Sequence, residues 1–229
     1  MKLGETIVDG VFLQRPNRYL AHVEIDGKEV PAHVPDPGRL PGLMIPQRKV
    51  RLIHRPSETR KTQYTLALVR HGAIWVSVYP VFANTIVGEA LKKNSIGCLG
   101  AYDSFSSEVR QGASRFDFCL THNGVEKFVE VKSVSLVEDS VGKFPDAPTE
   151  RGRKHVEELI QLKRSGKGAA VLFVSQRSDT RSITANDAID PKFGEVLRRA
   201  QEEGVELYGY NCRVTASSVS LDAEVPVVL

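Results

Sequence analysis

Two short runs carry the residue types that phosphodiester chemistry needs. Ser114-Arg115-Phe116-Asp117-Phe118 and Glu130-Val131-Lys132 lie on either side of Asn123-Gly124, the strongest short hairpin signal a chain can offer. A two-residue turn there sets His122 opposite Val125, and counting back brings Asp117 opposite Glu130. Opposed residues share a face, as do residues two apart on one strand. One face is therefore expected to carry Arg115, Asp117, Glu130 and Lys132, and the other Phe116, Phe118, Val129 and Val131. Facing carboxylates repel, which no hairpin needs for its own stability. A divalent cation with an ammonium beside it turns that repulsion into a site. Asp and Glu are the hard oxygen donors that magnesium takes, and a lysine can hold the attacking water or offset transition-state charge. Spacing alone leaves a solvated face open as the alternative, with Arg115 and Lys132 neutralising the acids.

Other groups could serve the same chemistry. Asn84 is expected to cap a helix from Thr85 to Lys93, and Glu89 on that helix would bring a third acid. Glu108, just ahead of the hairpin, competes for that role. A second helix is expected over Thr149–Arg164, with Thr149 as cap. Arg151 and His155 are four apart on it and could both reach a phosphate near the helix start, where backbone amides favour anions. Gly152 in the first turn costs about 1 kcal/mol against alanine, which points to close approach of something to the backbone. Nearer the front, Arg15 and Arg18 flank Pro16-Asn17, Arg39 follows Pro37-Gly38, and Lys61 follows Arg60. Tyr19, Tyr64 and Trp75 offer rings on which bases can stack.

These residues need a scaffold. Six alternating runs, Thr6–Leu13, Tyr19–Ile25, Lys28–Val34, Lys49–His54, Tyr64–Arg70 and Ala73–Val78, read as short strands divided by Asp26-Gly27, Pro35-Asp36-Pro37-Gly38 and His71-Gly72. So many strands in 80 residues predict a five-stranded closed barrel of the oligonucleotide-binding (OB) type over 1–80. Tyr79-Pro80 marks the boundary. Residues 81–229 predict an α/β domain with a mixed central sheet. Ala169–Ser175 reads as a strand buried on both faces, Pro191–Glu203 as a helix stopped by Gly204, Val205–Tyr210 as a strand, and Arg213–Leu229 as a β-prone tail.

Composition narrows the setting. An apolar fraction of 41% with mixed charges is that of a globular protein, and no run is long enough to span a bilayer. The opening Met1-Lys2-Leu3-Gly4 lacks the layout of a secretory signal, so a cytoplasmic location is expected. Cys98, Cys119 and Cys212 lie too far apart for a thiolate zinc site and are too few for a disulfide framework. They are expected to fill core, Cys119 being partly exposed on the charged hairpin face. Residues 1–80 hold 12 Lys and Arg against 7 Asp and Glu, and the remainder 19 against 21. A basic front joined to a mildly acidic rear suits a polyanion-binding module attached to a cation-binding one.

Several strings also carry a resemblance. Arg15-Pro16-Asn17-Arg18-Tyr19-Leu20-Ala21, Ala32-His33-Val34-Pro35, Pro37-Gly38-Arg39, Arg60-Lys61-Thr62, the two hairpin runs, and Phe144-Pro145-Asp146-Ala147 through Thr149-Glu150-Arg151-Gly152 occur in order along the whole chain. In these the chain resembles the sugar fermentation stimulation protein family (SfsA-type). The resemblance implies an OB-like barrel followed by a restriction-endonuclease-like domain of the P-D-(D/E)-x-K kind. Carried over by position, Asp117, Glu130 and Lys132 form its core, with Glu89 as the helix acid and Mg2+ or Mn2+ as cofactor. It further implies DNA binding with little sequence preference, Arg15, Arg18, Arg39, Lys61, Arg115, Arg151 and His155 being the expected contacts. The expected activity is that of a metal-dependent deoxyribonuclease. The alternative is a non-catalytic, DNA-binding regulator of maltose-type sugar-utilisation genes with a vestigial site. A homodimer is a possible assembly, since many nucleases act as symmetric pairs. Asp36 stands where the family more often has asparagine, and an acid beside Arg39 weakens phosphate attraction there.

Overall fold

A computed structural model describes residues 1–4 and 6–229. The alternating runs of the front third form β1 (Ile7–Asn17), β2 (Leu20–Ile25), β3 (Lys28–His33), β4 (Lys49–His54), β5 (Tyr64–His71) and β6 (Ile74–Ser77). The strands lie in the order β3-β2-β1-β4-β5-β6, and β3 also pairs in parallel with β5, so β1 to β5 close into a barrel with β6 added on β5. Phe12, Val23, Leu52 and Leu66 fill its interior. Asp26 and Gly27 take positive φ of 49° and 75°, the mirror-image turn whose twist matches that of its strands. β1 runs on through Pro16-Asn17, beyond its expected end at Leu13. It pairs with β4 only from Ile7 to Val11 but with β2 as far as Asn17, so Pro16 lies where one flank carries no ladder to interrupt.

The second part comprises α1 (Phe82–Lys92), β7 (Ser104–Gln111), β8 (Ser114–His122), β9 (Val125–Val134), β10 (Leu136–Glu138), β11 (Val141–Phe144), α2 (Glu150–Arg164), β12 (Gly168–Ser175), β13 (Ser182–Ala185), α3 (Pro191–Glu202), β14 (Glu206–Val214) and β15 (Val219–Val225). Its six-stranded sheet has the order β15-β14-β12-β9-β8-β7. β12 is parallel to both β9 and β14, while the outer pairs are antiparallel, so the sheet is mixed. One face packs on α1 through Ile86, Val129 and Leu172, and the other on α2 and α3 through Val156, Phe173 and Leu197.

Three local expectations need correction. α1 starts at Phe82 with Val81 at the N-cap, so Asn84 sits inside the first turn and caps nothing. Cys119 is buried opposite Phe128 rather than partly exposed, because its face of β8 is covered by α2. At Gly152 the close approach is that of the helix's own cap. Thr149 Oγ1 accepts from the Gly152 N–H at 3.0 Å, and a Cβ on Gly152 would stand 2.7 Å from Thr149 Cγ2.

The barrel is tied to the sheet by backbone and side chain. The Ser77 N–H donates to the Gln176 carbonyl at 3.0 Å, the Ser77 hydroxyl to Gln176 Oε1 at 2.8 Å, and Arg51 Nη1 to the Ala216 carbonyl at 2.6 Å.

Candidate active site

The hairpin has the expected register from His122↔Val125 as far as Phe118↔Val129, and there it stops. On its other side β8 pairs with β7 above and below Asp117 but not at Asp117, opposite which Glu108 takes a φ of 56°. Asp117 thus has no ladder partner on either flank. Its side chain replaces them: Oδ2 accepts from the Val131 N–H at 2.8 Å, and Oδ1 accepts from Asn84 Nδ2 at 2.6 Å. The irregularity also flips the alternation of β8. Phe118 packs into the α1 side of the sheet and Phe116 into the α2 side. The expected faces are corrected accordingly: Phe116 shares the α2 side with Glu130, whereas Asp117, held by Asn84, opens into the α1-side cleft beside Phe118, so Asp117 and Glu130 do not share one face as expected.

Glu130 is 4% exposed. Its Oε1 accepts from Lys132 Nζ at 2.8 Å and from His155 Nδ1 at 2.5 Å. With Nδ1 donating, His155 Nε2 is left as the acceptor facing Arg151 Nε at 3.5 Å. Oε2 of Glu130 is buried and has no hydrogen-bond partner. Burial alone pushes the Glu130 carboxyl upward, but the His155 hydrogen bond and the Lys132 charge outweigh it and hold the pKa below the ordinary value. Asp117 is shifted the other way, first by burial and then by the negative charge of Glu130. The two acids are therefore close enough to oppose each other, one served by α1 and the other by α2.

The other expected residues divide into three groups. Glu89 and Glu108 line the same cleft as Asp117, but Glu89 Oε2 lies 2.8 Å from the Met1 amine and Glu108 is paired with Arg115 at 2.7 Å. Arg15, on β1, is committed to backbone carbonyls of the barrel: Nη1 donates to the Gly38 carbonyl at 2.7 Å, and Nη2 to the carbonyls of Arg18 and Asp36 at 2.6 and 2.8 Å. Arg18, Arg39 and Lys61 are exposed and enter no ion pair among the described residues. Sequence reasoning missed Asn84 as the partner of Asp117, having assigned it to the cap.

A further carboxyl pair joins the two domains. Asp36 Oδ1 accepts from the Gly38 N–H at 2.8 Å, and Asp146 Oδ2 lies within 3.5 Å of the Ser135 hydroxyl. A Cβ on Gly38 would stand 1.9 Å from Asp146 Oδ2 and 2.9 Å from Asp36 Oδ1, so both carboxylates crowd one glycine. Burial, with Asp146 adding to it against the opposing hydrogen bond from Gly38, pushes Asp36 up to about 6.

The donor set fits a hard divalent cation in part. Glu130 offers a buried oxygen without a donor, and Asp117 offers a second carboxylate in its field. Among the described residues no group of three or more His, Cys, Asp or Glu is arranged to hold a metal. Magnesium asks for less, since it commonly takes one or two carboxylates and completes its shell with water and phosphate.

A closed OB barrel followed by a mixed-sheet α/β domain defines the class of this two-domain protein. Residues 13–78 match the family described as "SfsA N-terminal OB domain", and residues 81–218 match "Sugar fermentation stimulation protein RE domain". The chain belongs to the SfsA family. It is 40% identical over 230 residues to a sugar fermentation stimulation protein homolog of Clostridium perfringens, covering 100% of both chains. It is 42% identical to the homolog of Caldanaerobacter subterraneus subsp. tengcongensis, again over 100% of both. Among solved structures it is similar to Pyrococcus furiosus SfsA in complex with Ca2+, with a TM-score of 0.87, 29% identity and full coverage of both chains. No helix among the described residues is long and apolar enough to cross a membrane.

Proposed function

We propose that the chain binds DNA with little base preference and that its second domain is a magnesium- or manganese-dependent nuclease. The observation that carries this reading is Glu130 Oε2, a buried carboxylate oxygen with no donor, next to a buried lysine and within the field of Asp117. An unsatisfied oxygen of this kind costs about 1–3 kcal/mol, which a cation would recover. The Pyrococcus furiosus relative, described in complex with Ca2+, adds support, because calcium also takes hard oxygen ligands.

Held by Asp117 and Glu130, the cation would polarise a phosphate oxygen and lower the pKa of its water. Lys132, fixed by Glu130, would position that water and offset charge as the phosphorane forms. His155 orients Glu130 by holding Oε1, which leaves Oε2 for the cation. Asn84 orients Asp117, and Glu89 would act through an intervening water. Exposed Arg18, Arg39 and Lys61 would follow the backbone of the bound strand, with Arg115 and Arg151 nearer the hydrolysed phosphate.

One observation favours the second reading, a DNA-binding regulator of sugar-utilisation genes without turnover: Lys132 is already paired with Glu130 and has little access to solvent. Cleavage of plasmid and oligonucleotide DNA with magnesium, with manganese and with a chelator, repeated on Lys132→Ala, separates the two. Metal-dependent cutting lost in the variant is the expected result. Cutting that survives Lys132→Ala comes from a contaminant, and binding without cutting supports the regulator.

A further inference from the structure

Between the β7–β8 turn and the first two turns of α2 lies a cleft of about 520 Å³ whose lining holds four cations and no carboxylate. Arg110 and Arg115 come from the two strands, Arg151 and Lys154 from the helix, and Ser114 and His155 from its walls. Two of the cations are barely compensated. Arg110 has no ion pair or side-chain hydrogen bond among the described residues, and Lys154 is 3.8 Å from Glu158. Arg151 uses only its Nε, toward His155, and presents its Nη groups. Arg115 is the exception, paired with Glu108 at 2.7 Å.

Two other large clefts are lined differently. The one on the barrel wall carries Asp9, Glu24 and Asp26 beside Lys49 and Arg51. The one under α1 carries Glu89, Glu108 and Asp117 against Lys92. Each of the two carries more carboxylates than cations. His155 lines the cationic cleft and bonds Glu130, so this cleft opens one side chain away from the buried acid.

We propose that this cleft is a phosphate-binding groove that receives the polynucleotide backbone next to the phosphate at Glu130 and Lys132, with Arg110 and Lys154 as its main electrostatic contacts. The proposal rests on the reading of the chain as a DNA-binding protein. It locates the principal backbone grip on the second domain, on the α2 side of the sheet, rather than on the barrel. Fixed cations on a strand pair and a packed helix would hold the duplex or single strand in one register over the acids while reading no base. The bound phosphates are either internal diesters or a terminal monoester, since both present the same oxygens.

Fluorescence anisotropy of a labelled duplex in EDTA, measured from low to moderate salt, tests the groove without hydrolysis. Each phosphate contact contributes about 0.9 to the slope of log affinity against log salt on duplex DNA. Arg110→Gln with Lys154→Gln is expected to weaken binding more than tenfold at low salt and to flatten the slope by about 1.8. Lys49→Gln on the barrel wall is expected to change neither. Both Arg110 and Lys154 are exposed, so a thermal melt will show the double variant folded. A larger loss on 5′-phosphorylated than on 5′-hydroxyl DNA assigns the groove to a terminal phosphate, and equal losses assign it to internal ones. Wild-type binding with an unchanged slope in the double variant overturns the groove alone. No binding by the wild type overturns the DNA-binding reading and the groove with it.

Discussion

His155 Nδ1 and Glu130 Oε1 stand 2.5 Å apart, and Lys132 Nζ meets the same oxygen at 2.8 Å. Two donors converge on one oxygen of the carboxylate while the other oxygen has none. His155 is thus what turns the carboxylate so that one oxygen is left over. His155→Ala should cost about 1–3 kcal/mol, because it removes a hydrogen bond to a buried charged group. Glu130 is held below its ordinary pKa in the fold, so its contribution is present at neutral pH and lost as pH falls through that depressed value. Without His155 the pKa rises, and the acid limb of stability should move to higher pH. Urea denaturation from pH 3 to pH 7 checks this, with a lowered midpoint and an unchanged m-value as the expected signature.

Asp36 makes the opposite prediction. Its carboxyl is raised in the fold to about 6, chiefly by burial, with Asp146 adding to it and the Gly38 amide and Arg15 opposing it. A raised acid binds its proton more tightly folded than unfolded, so stability falls as pH rises from about 4 to about 6 and the penalty is complete above that. Asparagine keeps an oxygen for the Gly38 N–H and offers an amide to Asp146. Asp36→Asn should therefore gain on the order of 2 kcal/mol at pH 7 and nothing near pH 3.5. A gain of the same size at both pH values would show that the charge is not its source.

Much of this arrangement was legible in the residues, and for a physical reason. Asn123-Gly124 admits one tight turn, and the period of two on either side leaves one register, which holds as far as Phe118 opposite Val129 but not for the next step that would set Asp117 opposite Glu130. The alternating front third likewise gave a barrel, because five short strands with tight turns have few other ways to bury Phe12 and Leu66. What was not legible depends on breaks in pattern. Phe116 lies on the α2 side although Phe118 lies on the α1 side, and the break at Asp117 between them, opposite Glu108 with its positive φ, has no sequence signature. Asn84 looked like a cap because it precedes an apolar helix period, whereas the helix had already begun behind Pro80. The short sheet of β10, β11 and β13 escaped notice because its strands are only three or four residues long. Arg15 read as a phosphate ligand, yet the carbonyls of Asp36 and Gly38, more than 20 residues along the chain, take its guanidinium, and no local pattern reveals such a tertiary partner.

Gly38 gives a prediction about how the domains are held together. A methyl group there meets Asp146 Oδ2 at 1.9 Å, and Asp146 is itself held near Ser135. Gly38→Ala should cost about 1–3 kcal/mol through overpacking. Gly97→Ala, where nothing lies within 4 Å, serves as the control and should be close to neutral. Because the clash is with one side chain, Gly38→Ala combined with Asp146→Ala should lose less than the sum of the two single changes. Additive losses in that cycle would mean the barrel loop itself, not the carboxylate, resists the methyl group.

Asn84 and Glu89 lie on the same helix and line the same cleft, but only Asn84 touches Asp117. The amide hydrogen bond lowers the Asp117 pKa against the combined push of burial and Glu130. Asn84→Ala should let that pKa climb, so that manganese binding and manganese-dependent cleavage begin at a higher pH and fall about tenfold or more near neutrality. Glu89 is half-exposed and paired with the Met1 amine, and its replacement by alanine should change folding stability by no more than about 0.5 kcal/mol. If it acts through water, Glu89→Ala should reduce cleavage while leaving the acid limb of the pH profile where it was. Manganese titrations of both variants, followed by calorimetry and by cleavage rate from pH 5 to pH 9, decide between the two roles. A shifted limb in Glu89→Ala with none in Asn84→Ala would put the glutamate on the cation and reduce Asn84 to a packing residue.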